Sequence, residues 1–285
     1  MTACHGSAIN LIIHQAKPPP FRDQKTMEKI LIITGGNKGI GHGILEAYKR
    51  NGYRVFSVAR SLKLTDGNTD EKHIQFDLGH SELVAPTLSR IFIGLNRKNI
   101  EKITLINNAA TTGQIGRLET NSPTQIEKAI NLNLIAPLIL TAGFLQLTAG
   151  WKCIKHVINI SSGAAIKPFI GLSVYCASKA GIDMVTKSIA LEQEYVTYGV
   201  KIISVYPGLV DTDMQKDMRN MNRNRFPDAK SFMEFKRNGA LAAIHDVGAE
   251  ILEIDQNLSI ENGTILDLDQ YRFSSQKMYP VQSSH

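Results

Sequence analysis

The sequence predicts an α/β protein: one doubly wound domain on a parallel sheet of about seven strands. Three observations carry that expectation. Seven short runs rich in Ile, Val and Leu recur between residues 30 and 268, and stretches with helical spacing separate most of them. A glycine-rich segment, Thr34-Gly35-Gly36-Asn37-Lys38-Gly39-Ile40-Gly41, joins the first run directly to the first helical stretch. With 285 residues and 43% hydrophobic content, the chain is large enough to bury a sizeable core.

The elements follow in order. Residues 30–33 form a β-branched run and 40–50 have helical spacing. The further apolar runs are 53–58, 73–76, 103–106, 157–160, 200–205 and 264–268, with helical patterns over 81–97, 123–147, 174–198 and 241–253. Strands alternating with helices of this length mean βαβ units and a parallel sheet covered on both faces. Residues 27–270 are expected to form this domain with no linker inside it. The segment 214–237 is polar, Met-rich and without strand character, so it reads as a helical substrate lid. Residues 1–26 hold one acidic residue, Asp23, a short apolar run at 9–13 and then Pro18-Pro19-Pro20. They are expected to be a disordered leader, or to precede a true start at Met27. Residues 271–285 read as a tail.

Composition removes several function classes. Cys4, Cys153 and Cys176 are too few and too scattered for a disulfide framework, and no CxxC or HxxxH pair offers a common zinc spacing. No metal is expected, and a reducing cytoplasmic compartment is. The net charge of +6 is spread along the chain; its densest cluster is Arg219, Arg223 and Arg225. That cluster reads as a solvated face, with a cofactor phosphate or acidic partner as the alternative, and no nucleic acid is expected. The most apolar stretch, 132–147, contains Asn133, Thr141 and Gln146 and falls short of the ~20 apolar residues of a membrane span, so no membrane is expected. Cys176, Trp151, His42 and His156 read as structural.

The glycine turn carries the first chemistry. Gly35 permits a tight strand-to-helix turn, Gly39 lets backbone approach a pyrophosphate, and Gly41 allows close packing. The helix start adds free N–H groups and a positive dipole end. At the end of the second strand an NAD site wants a carboxylate for the ribose 2′-hydroxyl, yet the residues are Val58-Ala59-Arg60 with no acid before Asp66. Arg60, seconded by Lys38, suits a 2′-phosphate, which favours NADP(H).

A second constellation lies downstream. Tyr175 and Lys179 stand four apart on one helix face, and Ser162 ends a strand thirteen residues before Tyr175. Reducing a carbonyl needs hydride on carbon and a proton on oxygen. A free tyrosine titrates near ~10 and needs a neighbouring ammonium to favour its phenolate. Tyr175 is thus the expected proton donor, Lys179 the cation that tunes it, and Ser162 the group that hydrogen-bonds the substrate oxygen.

These residues resemble the short-chain dehydrogenase/reductase family over 29–269. The family's TGxxxGxG turn matches 34–41, its Asn-Asn-Ala element matches Asn107-Asn108-Ala109, and its serine and YxxxK match Ser162, Tyr175 and Lys179. Its Pro-Gly element followed by Thr matches Pro207-Gly208 and Thr212; Ala110 departs from the family's usual glycine. The resemblance implies a Rossmann fold in the order 3-2-1-4-5-6-7 and a homo-oligomer, dimer or tetramer, formed through the helices 123–147 and 174–198. It also implies that Asn133 assists a proton relay through water, Asn131 being the competing candidate. The implied cofactor contacts come from Gly35, Asn37, Lys38, Gly39, Ile40 and Gly41 in the turn, and from Arg60 and Asp77 beyond the second and third strands. Asn108 and Ala109, Tyr175 and Lys179, and Pro207, Gly208, Val210 and Thr212 complete them.

Within the family, stretches such as Asn133-Leu134-Ile135-Ala136-Pro137 and Gly208-Leu209-Val210-Asp211-Thr212-Asp213-Met214 resemble the benzil reductase ((S)-benzoin forming) and sepiapterin reductase branch. That implies an NADPH-dependent carbonyl reductase acting on a small diketone or α-hydroxyketone-like substrate. Asp267 then stands as either a substrate anchor or an ordinary strand-end carboxylate. The alternatives are a 3-oxoacyl or sugar-type carbonyl reductase and a non-catalytic NADP-binding redox sensor.

Overall fold

The computed structural model describes residues 27–61 and 71–272. The expected leader, residues 1–26, lies outside them; of the expected tail, 271–285, Tyr271 and Arg272 are described and continue the domain, Tyr271 packing against the core and Arg272 lying 2.7 Å from Glu250. Seven strands pair in parallel: β1 (Glu28–Thr34), β2 (Tyr53–Ala59), β3 (Glu71–Gln75), β4 (Ile100–Asn107), β5 (Ile154–Ile160), β6 (Lys201–Tyr206) and β7 (Ile265–Asp267). Their order is β3-β2-β1-β4-β5-β6-β7. The chain winds outward from β1 to β3, returns to β4 beside β1, and winds the other way. The topological switch point therefore lies between the carboxyl ends of β1 and β4.

Burial on both faces explains why the strands read as continuous apolar runs. In β1, Ile30 and Ile32 enter one layer while Leu31 and Ile33 enter the other, all four with 0% exposure. The first layer lies under α2 (Val84–Ile93), α4 (Ala136–Leu147) and α5 (Ser173–Glu194), and is filled by Leu88, Phe92, Phe144 and Ala190. The second lies under α1 (Gly39–Arg50) and α8 (Ile244–Gln256), filled by Ile44, Leu45, Tyr48, Val247 and Ile251. Those two helices touch backbone to backbone: a methyl on Gly43 would stand 1.9 Å from the Ile244 carbonyl oxygen.

The structure refines several boundaries. The helix expected over 81–97 is a 3-10 turn followed by α2, which stops before Gly94. The pattern at 123–147 is α3 (Pro123–Ile130) running into α4 through a π turn, Asn131–Ile135. Ser122 caps α3 by accepting from Gln125 N at 3.3 Å, with Pro123 at its first position. At 25 residues this continuous helix is long and apolar enough to cross a membrane, which 132–147 alone is not. In this fold two of its polar residues bond inward: Thr141 Oγ1 accepts from Asn107 Nδ2 at 3.2 Å, and Asn133 bonds the loop after β4.

The segment expected to be helical, 214–237, falls in α6 (Asp213–Arg219) and α7 (Ala229–Arg237). It seats Phe226 and Phe232 against Ile115, Leu172 and Tyr175, a third apolar cluster. At the opposite end of the sheet, Asp255 of α8 sits fully buried among charged partners. Lys102 Nζ is 2.9 Å and His156 Nδ1 2.7 Å from its carboxylate, and Thr104 Oγ1 donates to it at 3.1 Å. His156 is thus structural, as its sequence context suggests.

Candidate active site

The glycine turn is built by steric demand. Gly35 has φ +69°, and a methyl there would stand 3.1 Å from Ala109 Cα. A methyl on Gly41 would stand 2.2 Å from the Gly35 carbonyl oxygen, so no side chain fits. Two side chains clasp the turn to β4. Thr34 Oγ1 accepts from Asn108 N at 2.9 Å and Ala109 N at 3.0 Å. Asn108 Nδ2 donates to Thr34 O at 2.9 Å and Gly35 O at 3.2 Å. Asn108 thus spends its amide on the turn itself.

Helix α1 opens at this turn with no side-chain cap and no acidic residue in its first turn. Its free N–H groups and dipole end favour an anion. Thr212, which caps α6 by accepting from Gln215 N at 3.3 Å, lies beside Gly39. Gly39, Thr212, Lys216, Arg219 and Ile244, together with Asp211 and Asp213, line a cleft between the turn and α6. Arg219 turns inward here, hydrogen-bonded to Gln215 Oε1 and 3.8 Å from Asp211. Ile40 packs into the layer below, and Val210 is buried and bridged to Ala242. Gly208, after Pro207, has φ +75°.

At the end of β2, Asn37 Nδ2 donates to Ser61, which brings the glycine turn against Arg60. Arg60 is exposed, and its carbonyl accepts from Gln75 Nε2 at 3.0 Å. Lys38 lies 3.9 Å from Asp213, the first residue of α6, both exposed. Asp77 is exposed after β3, with Oδ1 accepting from Gly79 N at 3.0 Å. A turn with no room for a Cβ at Gly41, an uncapped helix start and an exposed Arg60 suit a dinucleotide.

Ser162, Tyr175 and Lys179 come together at the carboxyl end of β5. Ser162 Oγ accepts from Ala164 N at 3.1 Å, holding the turn after the strand. Burial pushes the Tyr175 phenol up, and its hydrogen bond with Ser162 pulls the other way. Lys179 Nζ stands 5.7 Å from the Tyr175 ring centroid and donates to Ile160 O at 2.7 Å. Burial drives this ammonium down to about 8, against an opposing charge on Asp183.

Asn133 sits in the π turn with its side chain engaged. Oδ1 accepts from Thr111 N at 2.9 Å, and Nδ2 donates to Thr111 O at 2.8 Å and Ser178 Oγ at 3.1 Å. Four residues on, Pro137 has no N–H to give the Asn133 carbonyl. Asn131 is the first residue of the same π turn.

Sequence reading did not single out Thr111, Ser178 or Asp183. For Asp183 a signal exists: a carboxylate four residues after Lys179, on the same helix face. Asp267 closes β7, where Oδ1 accepts from Asp269 N at 3.0 Å.

Comparison with known proteins agrees with this architecture. Residues 29–223 match the family model described as short chain dehydrogenase. The chain is 32% identical over 248 residues to a benzil reductase ((S)-benzoin forming) of Bacillus cereus, covering 85% of this chain and 100% of that one. It is 28% identical to the sepiapterin reductase of Bos taurus, over 84% of this chain and 93% of the other. A solved structure of ElxO with NADP bound superposes with a TM-score of 0.69 at 24% identity, covering 85% and 97% of the two chains.

Proposed function

From the premise that this chain belongs to the short-chain dehydrogenase family and is an oxidoreductase, we propose that it is an NADPH-dependent carbonyl reductase. Its substrate class is a small diketone or α-hydroxyketone, as the names of the two relatives suggest. The observation that carries the reading is the gathering of Ser162, Tyr175 and Lys179 at the carboxyl end of β5, the end of the sheet at which the glycine turn follows β1. A non-catalytic sensor would have no use for a proton donor there.

The turn residues 35–41, with Asn108 holding their shape, would bind the dinucleotide; Arg60 would take a 2′-phosphate, with Lys38 as a second cation. When bound, the dinucleotide supplies the hydride. Ser162 hydrogen-bonds the substrate oxygen and orients the carbonyl. Tyr175 Oη delivers the proton, and the Lys179 ammonium favours the phenolate left behind. The Asn133 carbonyl holds the water through which that proton is replaced. The lid's Phe226 and Phe232 close an apolar wall over Tyr175, which suits a substrate with aryl or alkyl flanks.

The chain is expected to act as a homo-oligomer in the cytoplasm. Met184 and Leu191 on α5, with Tyr195 just beyond it, are 67%, 62% and 91% exposed and form an apolar stripe that a second copy would cover.

The test is the loss of NADPH absorbance with benzil as substrate, run in parallel with NADH and with Tyr175→Phe. Turnover with NADPH, little with NADH, and collapse in the variant is the expected result. Faster turnover with NADH would overturn the role of Arg60. Equal rates for Tyr175→Phe and wild type would overturn the proton donor.

A further inference from the structure

We propose that Asp183 is a positioning residue for carbonyl reduction, acting through Lys179; the inference rests on the function proposed above. Asp183 lies one helical turn beyond Lys179 on the buried face of α5, the two being 8% and 4% exposed. Two donors from β6 tether its carboxylate: Ser204 Oγ to Oδ1 at 2.8 Å, and Tyr206 Oη to Oδ2. Lys179 Nζ reaches the end of the adjacent strand, where Ile160 O accepts.

The ammonium therefore stands in water-poor surroundings, with one backbone dipole ahead of it and one fixed negative charge a turn away. Burial favours the neutral amine, and Asp183 opposes it; the balance leaves the group at about 8. The other titratable groups about it are Tyr175 and Cys176 on its own helix and Tyr206 on β6, with Asp267 of β7 paired beyond Tyr206. Among these neighbours, Asp183 supplies the charge that acts on Lys179. A neutral Lys179 would not steady a phenolate, so a carboxylate that never meets substrate sets the pH range in which Tyr175 works.

Two readouts on the full chain test this. In protein labelled with ¹³C-lysine, the Lys179 Cε resonance is assigned with Lys179→Met and titrated without NADPH. The midpoint is expected at about 8 in wild type, to fall by roughly one unit in Asp183→Asn, and to hold in Asp183→Glu. In turnover with NADPH and benzil, the alkaline limb of kcat/KM moves down by the same amount in Asp183→Asn. That variant then runs about three-fold below wild type near pH ~7.5 and recovers at lower pH. A folded Asp183→Asn with midpoint and limb unmoved overturns the proposal, as does a uniform loss at every pH with no shift. If wild type turns over no carbonyl, the function reading fails while the resonance titration still decides the role of Asp183. If Asp183→Asn does not fold, wild type decides alone. A midpoint at about 8 or above supports the proposal, and one at ~7 or below, the range expected without the Asp183 charge, overturns it.

Discussion

Replacing Asp255 by asparagine keeps the size of the side chain and removes the negative charge that Lys102 and His156 share. The carboxylate is fully buried, with the Lys102 ammonium at 2.9 Å, His156 Nδ1 at 2.7 Å and Thr104 Oγ1 at 3.1 Å. Breaking a buried pair from one side strands the other charge, which costs about 3–5 kcal/mol. For a domain of this size that lowers Tm by on the order of 10 °C. Thermal melts and urea titrations at neutral pH read the loss directly. Adding Lys102→Met removes the stranded ammonium and is expected to recover roughly 1–3 kcal/mol of it. Burial pushes the Asp255 carboxyl up, but His156 and Lys102 together outweigh it and hold the group below its ordinary value. A carboxyl depressed in the folded state contributes fully above its unfolded value of ~3.9 and is lost as pH falls through the lower folded value. The gap between wild type and Asp255→Asn therefore narrows only below about pH 4. A loss under about 1 kcal/mol, or full additivity with Lys102→Met, would refute the claim that these charges form one unit.

Three further outcomes are expected. Gly41→Ala forces a methyl against the Gly35 carbonyl; the strain of about 1–3 kcal/mol should weaken NADPH binding about ten-fold or more by fluorescence titration. Asn133→Ala leaves both backbone groups of Thr111 and the Ser178 hydroxyl short of a partner, lowering stability by about 1–3 kcal/mol in urea. Arg60→Ala should raise the KM for NADPH at least about ten-fold while leaving that for NADH nearly unchanged, the signature of a charge-assisted phosphate contact.

The sheet was legible because its strands are short apolar runs buried on both faces, as Ile30 to Ile33 are. Nothing in residues 30–33 says which strand lies beside them; that order came from family resemblance. The glycine turn was readable because Gly35 and Gly41 each answer a local steric need. The π turn was not, since Pro137 marks a missing donor without saying whether the helix kinks, stops or widens. Long-range partnerships were the hardest to see. His156 and Asp255 are 99 residues apart, and neither carries a local sign that the other exists. Asp183 carries one local sign, its spacing from Lys179, but its tethering shows only when β6 brings Ser204 and Tyr206 to it. The expected roles of Ser162, Tyr175 and Lys179 rest on motif spacing, and the fold adds their closeness.

The clasp that Thr34 and Asn108 make across the switch point bears on the kinetics of cofactor capture. Their four hydrogen bonds weld the ends of β1 and β4 into one rigid piece. The entropy of shaping the glycine turn is therefore surrendered once, when the chain folds, and not again at each encounter. Association is then expected in a single diffusive phase with no slow isomerisation. An Asn108→Ala chain, its turn freed to wander, would bind by selecting a minor shape and weaken in proportion to how seldom that shape is populated.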